Sequence, residues 1–270
     1  MINRLPRIIL SFGAVVSILP LIWMVITSLS ANENTLSFFD LLGKDFTINN
    51  YQSIMNKIPL LRYMYNSIVI TSLTIAGTVF SSSFVAYAFS ILRWKSRDKV
   101  FMLIIFTMML PLQVTMIPVF IINNQLGWLN TFYPLVVPAY LGGGAFNIFL
   151  FRQFFLNISK EIIDAAKMDG LNHFQIYYKI VLPIAKPVVI AVCILTFLFT
   201  WNDFMGPLIY LTDQAKGTLA LGLMLFVGQY QTEWGQLMAL SIVIIFPVFL
   251  IFIAFQKHFL NGLMFGGSKR

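Results

Sequence analysis

Asp164-Ala165-Ala166-Lys167-Met168-Asp169-Gly170, followed ten residues later by Ile180-Val181-Leu182-Pro183, is the stretch whose residue types and spacing most constrain function. Its chemistry is recognition rather than catalysis. Ala166 and Gly170 are four apart, hence neighbours on a helix, and such small side chains let another protein's surface approach the backbone closely. Asp164, Lys167 and Asp169 around them can set register by charge. An amphipathic helix lying on the membrane surface fits the same pattern equally well.

The elements that would hold these residues are two short helices within 152–186. Ser159 is the expected N-cap, and Glu161 sits in the first turn, where the helix dipole favours an acid. Ile162, Ile163, Ala165, Ala166 and Met168 supply an apolar face, and Gly170 is placed to end the helix. Asn172 and Gln175 have the spacing of a capping pair for a second helix carrying Phe174, Tyr177, Tyr178 and Val181. That helix is expected to stop at Leu182-Pro183, since proline cannot continue the hydrogen-bond ladder.

This polar element lies between apolar segments. The 270-residue chain is 59% hydrophobic and 10% charged, where soluble domains carry about 25% charged residues. Six apolar stretches, 8–29, 67–92, 101–122, 133–151, 187–210 and 237–255, approach or exceed the roughly 17–25 residues that cross a bilayer as a helix. The first follows Arg4 and Arg7 but is too long for the core of a signal peptide and lacks a small-residue cleavage site, so it reads as an uncleaved anchor. The 218–227 run is too short to cross and is expected as a partly buried, non-spanning segment. The fold class is all-α, a polytopic membrane protein of six transmembrane helices.

Fourteen of the 18 basic residues fall in the N-terminus, 93–99, 152–186 and the C-terminal tail, and only Lys44, Lys57, Arg62 and Lys216 fall between. An even number of spans with both termini cytoplasmic satisfies this bias. The net charge of +8 is then explained by membrane edges and anionic lipid headgroups, not by a nucleic-acid partner. Cys193, the single cysteine, lies mid-span and reads as a small apolar filler.

Asp203 is the only acid inside an expected span, and ionisable groups there are seldom idle. It lies toward the outer end of its span, where Trp201 points to an interfacial position. Asn202 and Asp203 are expected to face the interior, holding helices together or gating a path. Asn66, Gln113 and Asn147 are further path candidates, although a helix-to-helix hydrogen bond explains each as well. Pro111 and Pro118 mark the third span as irregular, and Pro134, Pro138 and Gly142-Gly143-Gly144 the fourth.

A membrane-embedded enzyme would need a constellation that is missing: no His-Glu-x-x-His, no Gly-x-Ser-x-Gly and no paired acids in the spans. His173 and His258, the two histidines, are too sparse for a metal cluster. A stand-alone secondary transporter would usually show intramembrane charges or internal repeats, and neither is evident. Without a Gly-x4-Gly-Lys-Ser/Thr loop, energy from ATP has to come through a partner.

The spacing Asp-Ala-Ala-x3-Gly-x9-Ile-x-Leu-Pro resembles the cytoplasmic signature loop of ATP-binding-cassette importer permeases, with Asp164 where that family usually has Glu. Asn49-Asn50-Tyr51, Asn66-Ser67, Trp201-Asn202-Asp203-Phe204, Thr218-Leu219-Ala220-x-Gly222, Asn261-Gly262-Leu263 and Gly266-Gly267 extend the resemblance over nearly the whole chain. They make it most similar to the shorter membrane subunit of the maltose-type, carbohydrate-uptake branch.

The resemblance implies a type I importer fold in a bacterial cytoplasmic membrane. An N-terminal anchor and extracellular loop (1–65) would precede the permease domain (66–256), with a coupling helix region at 159–183, and a cytoplasmic tail (257–270) would follow. It implies a non-catalytic subunit that lines the path of a di- or oligosaccharide. Its partners would be a homologous permease in a heterodimer, two ATPase subunits and an external sugar-binding protein. ATP and Mg would be bound by the ATPase subunits, and no cofactor or metal by this chain. Asp164 to Gly170 would dock into the ATPase and turn its stroke into rotation of the spans. Gly262, Gly266, Gly267 and Lys269 match a second ATPase contact, and Gly228-Gln229-Tyr230-Gln231 align with a loop facing the binding protein.

Overall fold

The computed structural model describes residues 5–31, 46–228 and 232–264, with side chains for 6–31, 46–228 and 232–256. Regular structure among the described residues is helical apart from two isolated bridges, Ser30 with Phe46 and Val227 with Thr232.

In chain order the helices are α1 (Leu5–Ser28), α2 (Asn49–Lys57), α3 (Leu60–Ser90), α4 (Arg97–Thr107), α5 (Leu112–Gln125), α6 (Tyr133–Tyr140) and α7 (Ala145–Phe155). They continue as α8 (Lys160–Met168), α9 (His173–Ile184), α10 (Lys186–Trp201), α11 (Met205–Tyr210), α12 (Leu219–Gly222) and α13 (Trp234–Met264). Among the described residues four helical stretches are long and apolar enough to cross a membrane, and up to six spans result when each of two sharply bent pairs counts as one.

The breaks follow local chemistry. Pro111 lacks an N–H and disfavours helical backbone at the residue before it. The third stretch therefore parts into α4 and α5, bent by 96°, rather than running through 101–122 with mere irregularity. Between α6 and α7 three consecutive glycines take positive φ. At Gly143 a Cβ would come within 2.6 Å of the Thr78 carbonyl oxygen and 2.9 Å of the Ser81 hydroxyl, so only glycine lets this turn approach α3. Ser81 also donates to the Ala139 carbonyl at 2.6 Å. α9 and α10 meet at Ala185 with a 77° bend.

The chain forms two compact units. One comprises Met1–Met64 and Gly217–Leu250. Here buried Asn50 donates from its amide to the carbonyls of Ser28 and Ser30, each at 2.9 Å, tying α2 to the end of α1. Gly235 leaves the room that amide needs, since a Cβ there would fall 2.7 Å from it. Thr218 caps α12 by accepting from the Leu221 N–H, and Gly217 and Gly222 give space to the buried Tyr63 ring. The 218–227 segment is partly buried and too short to span, with Leu219 and Phe226 inside. An ion pair of 2.5 Å joins Lys57 to Glu233.

The second unit, Tyr65–Lys216 with Ile251–Arg270, holds the candidate site. Its core packs Ala86, Tyr87, Phe151, Phe155, Ile176 and Val192 together with Ile163 and Ala166 of α8.

Candidate docking site

α8 presents three faces. Ile163 and Ala166 point into the core, and Ala166 is only 3% exposed. This corrects the expectation that Ala166 opens the backbone to an outside surface: the residue is small because it packs against this chain's own helices. Ala165, Met168 and Asp169 face outward, Met168 being 88% exposed. Asp164 and Lys167 form a third, charged stripe, 3.6 Å apart.

Ser159 occupies the N-cap position, but its hydroxyl donates to the Glu161 carboxylate instead of accepting a backbone N–H. That hydrogen bond holds the Glu161 carboxyl below its usual range. At the other end Gly170 adopts φ +81°. Its N–H bonds to the Lys167 carbonyl at 3.0 Å, and the Leu171 N–H to the Ala166 carbonyl at 3.1 Å. These two bonds are a Schellman stop. Gly170 thus serves backbone geometry; a Cβ there would meet nothing within 4 Å.

α9 opens with the reciprocal capping box of Asn172 and Gln175. It does not stop at Leu182-Pro183. Tyr177–Val181 form a π-turn, and a further turn, Leu182–Ile184, carries Pro183 near its start. Proline is tolerated at the beginning of a helical turn, and the wider π-turn resets the ladder just before it. Ile176, Tyr177 and Val181 are buried, whereas Phe174 (65%) and Tyr178 (64%) are exposed.

The buried face fastens the element to α3. The Tyr177 ring lies edge-on to Phe84 and to Tyr87, with centroids 5.5 Å away in both cases. Tyr87 Oη is 3.2 Å from His173 Nδ1, so His173, exposed on α9, still has a partner on a spanning helix. Arg152 was legible only as a basic residue at a membrane edge, yet it ties three helices. It donates to the Phe89 carbonyl of α3 at 3.1 Å, pairs with Asp98 of α4 at 2.9 Å, and lies 4.0 Å over the Phe101 ring.

The candidate path residues are placed apart. Asn66 is buried and donates to the Ala215 carbonyl at 3.1 Å. Asn147 and Asn202 donate to carbonyls four residues back, Gly143 and Leu198. Gln113 is exposed in the first turn of α5. Asp203 accepts from the Gly206 N–H at 3.1 Å, which caps α11 and gives this acid a local structural role. No hydrogen bond joins Gln113, Asn147, Asn202 and Asp203 to one another. Trp201 is buried and stacked on Phe197. Gly228 is exposed beside the Val227–Thr232 bridge. Gln229, Tyr230, Gln231, Gly266, Gly267 and Lys269 lie outside the described residues, as does the His258 side chain.

Residues 83–264, which contain this element and the helices it grips, match the family described as "Binding-protein-dependent transport system inner membrane component". The chain belongs to that family. The permease is 34% identical to the probable ABC transporter permease protein YurM of Bacillus subtilis (strain 168), over 93% of this chain and 83% of that one. It is 32% identical to the arabinooligosaccharides transport system permease protein AraQ of the same organism, over 93% and 90%. A chain from the crystal structure of a bacterial ABC transporter involved in the import of the acidic polysaccharide alginate superposes with a TM-score of 0.81. It shares 25% identity and covers 94% of this chain and 95% of that one. The permease is therefore an integral membrane component of an ATP-binding-cassette importer with the type I fold, working with ATPase and binding-protein partners.

Proposed function

We propose that this permease lines the path of a di- or oligosaccharide and that α8 and α9 form its docking surface for an ATPase subunit. The substrate class is supported by relatives named for oligosaccharide and lactose transport. The docking role rests on one observation above all. Met168, Phe174 and Tyr178 are exposed on an element whose opposite face is locked to a spanning helix through Tyr177. Such a surface can receive a push outside the bilayer and pass it to the span. Asp164, Lys167 and Asp169 give it register, while Ala165 keeps its relief low and Gly170 ends the helix.

In this reading the permease pairs with a homologous permease, and two ATPase subunits bind the ATP and Mg and perform the hydrolysis. The chain itself is non-catalytic, binds no cofactor or metal, and keeps both termini in the cytoplasm. Asn66, Gln113, Asn147, Asn202 and Asp203 border the path or its gates, and residues 228–231 face the external binding protein. The test is uptake by the complete reconstituted complex across a panel of sugars with purified binding proteins. Saturable, ATP-dependent uptake of a di- or oligosaccharide is expected. ATP hydrolysis by the purified chain alone, or uptake without the ATPase subunits, overturns the proposal.

A further inference from the structure

A cavity of about 1060 Å³ opens where α3 and α7 end and α4 and α8 begin. α3, α4 and α7 belong to candidate membrane-crossing stretches and α8 lies outside them, so the cavity opens where spanning helices end, at the level where hydrocarbon gives way to headgroups. Its lining combines two kinds of surface. Leu92 and Leu156 at the helix ends, with the Trp94 ring, form an apolar floor over the core residues Phe155 and Ile163. Four basic side chains stand around it. Arg97 is paired with Asp98 and Lys167 with Asp164, whereas Arg93 and Lys160 form no salt bridge to a described residue. Lys160, Asp164 and Lys167 recur on one stripe of α8, beside the outward stripe of Ala165 and Met168; Asp164 and Lys167 border both surfaces, whereas Arg93 and Lys160 belong to the cavity.

We propose that this cavity holds the phosphodiester headgroup of an anionic phospholipid. Arg93 and Lys160, which form no salt bridge among the described residues, supply the charge-assisted donors a phosphate oxygen wants, and basic pockets between spanning helices are suited to such headgroups. A soluble phosphate would use the same cations but would leave the apolar floor facing water. A phospholipid satisfies both surfaces at once, with its glycerol and first methylenes against Leu92, Trp94 and Leu156. The bound lipid then braces α8 against the ends of the spans, so its headgroup chemistry affects how firmly the element is held. The inference needs only the membrane setting and stands independently of what docks on α8.

The test uses the complete transporter in nanodiscs of phosphatidylcholine, with and without a minor fraction of phosphatidylglycerol, delipidated and weighed by native mass spectrometry. The wild-type complex is expected to retain phosphatidylglycerol in preference to phosphatidylcholine. The Arg93→Gln/Lys160→Gln pair should weaken that retention on the order of tenfold. The charge-keeping Arg93→Lys/Lys160→Arg pair should restore it, and Lys179→Gln, outside the cavity, should leave it unchanged. Equal retention by the Arg93→Gln/Lys160→Gln pair, or equal loss with Lys179→Gln, overturns the site. Displacement of the lipid by millimolar inorganic phosphate assigns the cavity to a soluble anion instead. Lipid retained only when the ATPase subunits are stripped off assigns it to a protein interface, and either result also overturns the proposal.

Discussion

The phenolic oxygen of Tyr177, in the π-turn of α9, lies 2.8 Å from the hydroxyl oxygen of Ser83 on α3. This buried hydrogen bond sits beside the Phe84 and Tyr87 rings, so one side chain carries both an apolar and a polar link from the docking element to a spanning helix. Ser83 also reaches the Val79 carbonyl, which leaves it satisfied if the phenol is removed. Tyr177→Phe should accordingly cost only about 1 kcal/mol, the ordinary worth of such a bond. Tyr177→Ala should cost about 3–5 kcal/mol, by analogy with other large aromatic truncations. Thermal unfolding of the detergent-solubilised protein, run as a double-mutant cycle with Ser83→Ala, measures the first value. A cycle with no coupling between Tyr177 and Ser83 contradicts the link.

Gly170 separates backbone geometry from docking. With φ at +81° and open space around its Cα, substitution strains the turn without blocking anything. Gly170→Ala should destabilise by about 1 kcal/mol, and Gly170→Asn by less, because asparagine tolerates the left-handed region. Association with the ATPase, titrated by light scattering at a temperature where both variants are folded, should remain within a few-fold of wild type. Complete loss of association in both variants would show that the glycine itself sits in the interface.

Ala166 and Ala165 are adjacent in sequence but opposite in role. Ala166→Leu places extra methylenes in a packed core and should cost about 1–3 kcal/mol, whereas Ala165→Leu should leave the unfolding temperature nearly unchanged and weaken ATPase binding. The pair is read by thermal unfolding beside a binding titration, and the reverse pattern contradicts the faces assigned to α8.

The Ser159–Glu161 hydrogen bond sets a pH dependence. The Glu161 carboxyl is held below its usual range when folded, so its contribution to stability is present above the ordinary glutamate value and is lost as pH falls through the lower folded value. Ser159→Ala should flatten this part of the acid-side stability profile, with little change at neutral pH because Glu161 is fully exposed and solvent screens it. Stability profiles in detergent across the acidic range decide it. Superimposable wild-type and Ser159→Ala curves contradict the bond.

Much of this architecture is legible in residue order. Apolar run lengths mark six candidate stretches, of which four are long and apolar enough to cross among the described residues and two more count only as bent pairs, and Asn172 with Gln175 announces the capping box that forms. Gly170 marks the end of α8, because only a left-handed residue completes its two closing bonds. What sequence conceals is direction. Ala165 and Ala166 are identical in type, and only the packing of Ile163 and Ile176 decides which is buried. Pro183 signals a stop by local rules, yet the π-turn ahead of it absorbs the missing N–H. Asp203 accepts from the Gly206 N–H, a local contact that residue order does not announce. Arg152 exerts its hold through Asp98 and Phe89, far from it in sequence, and no local pattern reports such contacts.

The central claim is that the outward face of α8 and α9 meets the ATPase while their inner face holds the span. Met168→Cys in a Cys193→Ala background, labelled with a photoactivatable cross-linker in the assembled complex, tests it most directly. The account predicts an efficient adduct to the ATPase subunit that changes in yield between ATP-bound and nucleotide-free states. An adduct only to lipid, or to the external binding protein, contradicts it.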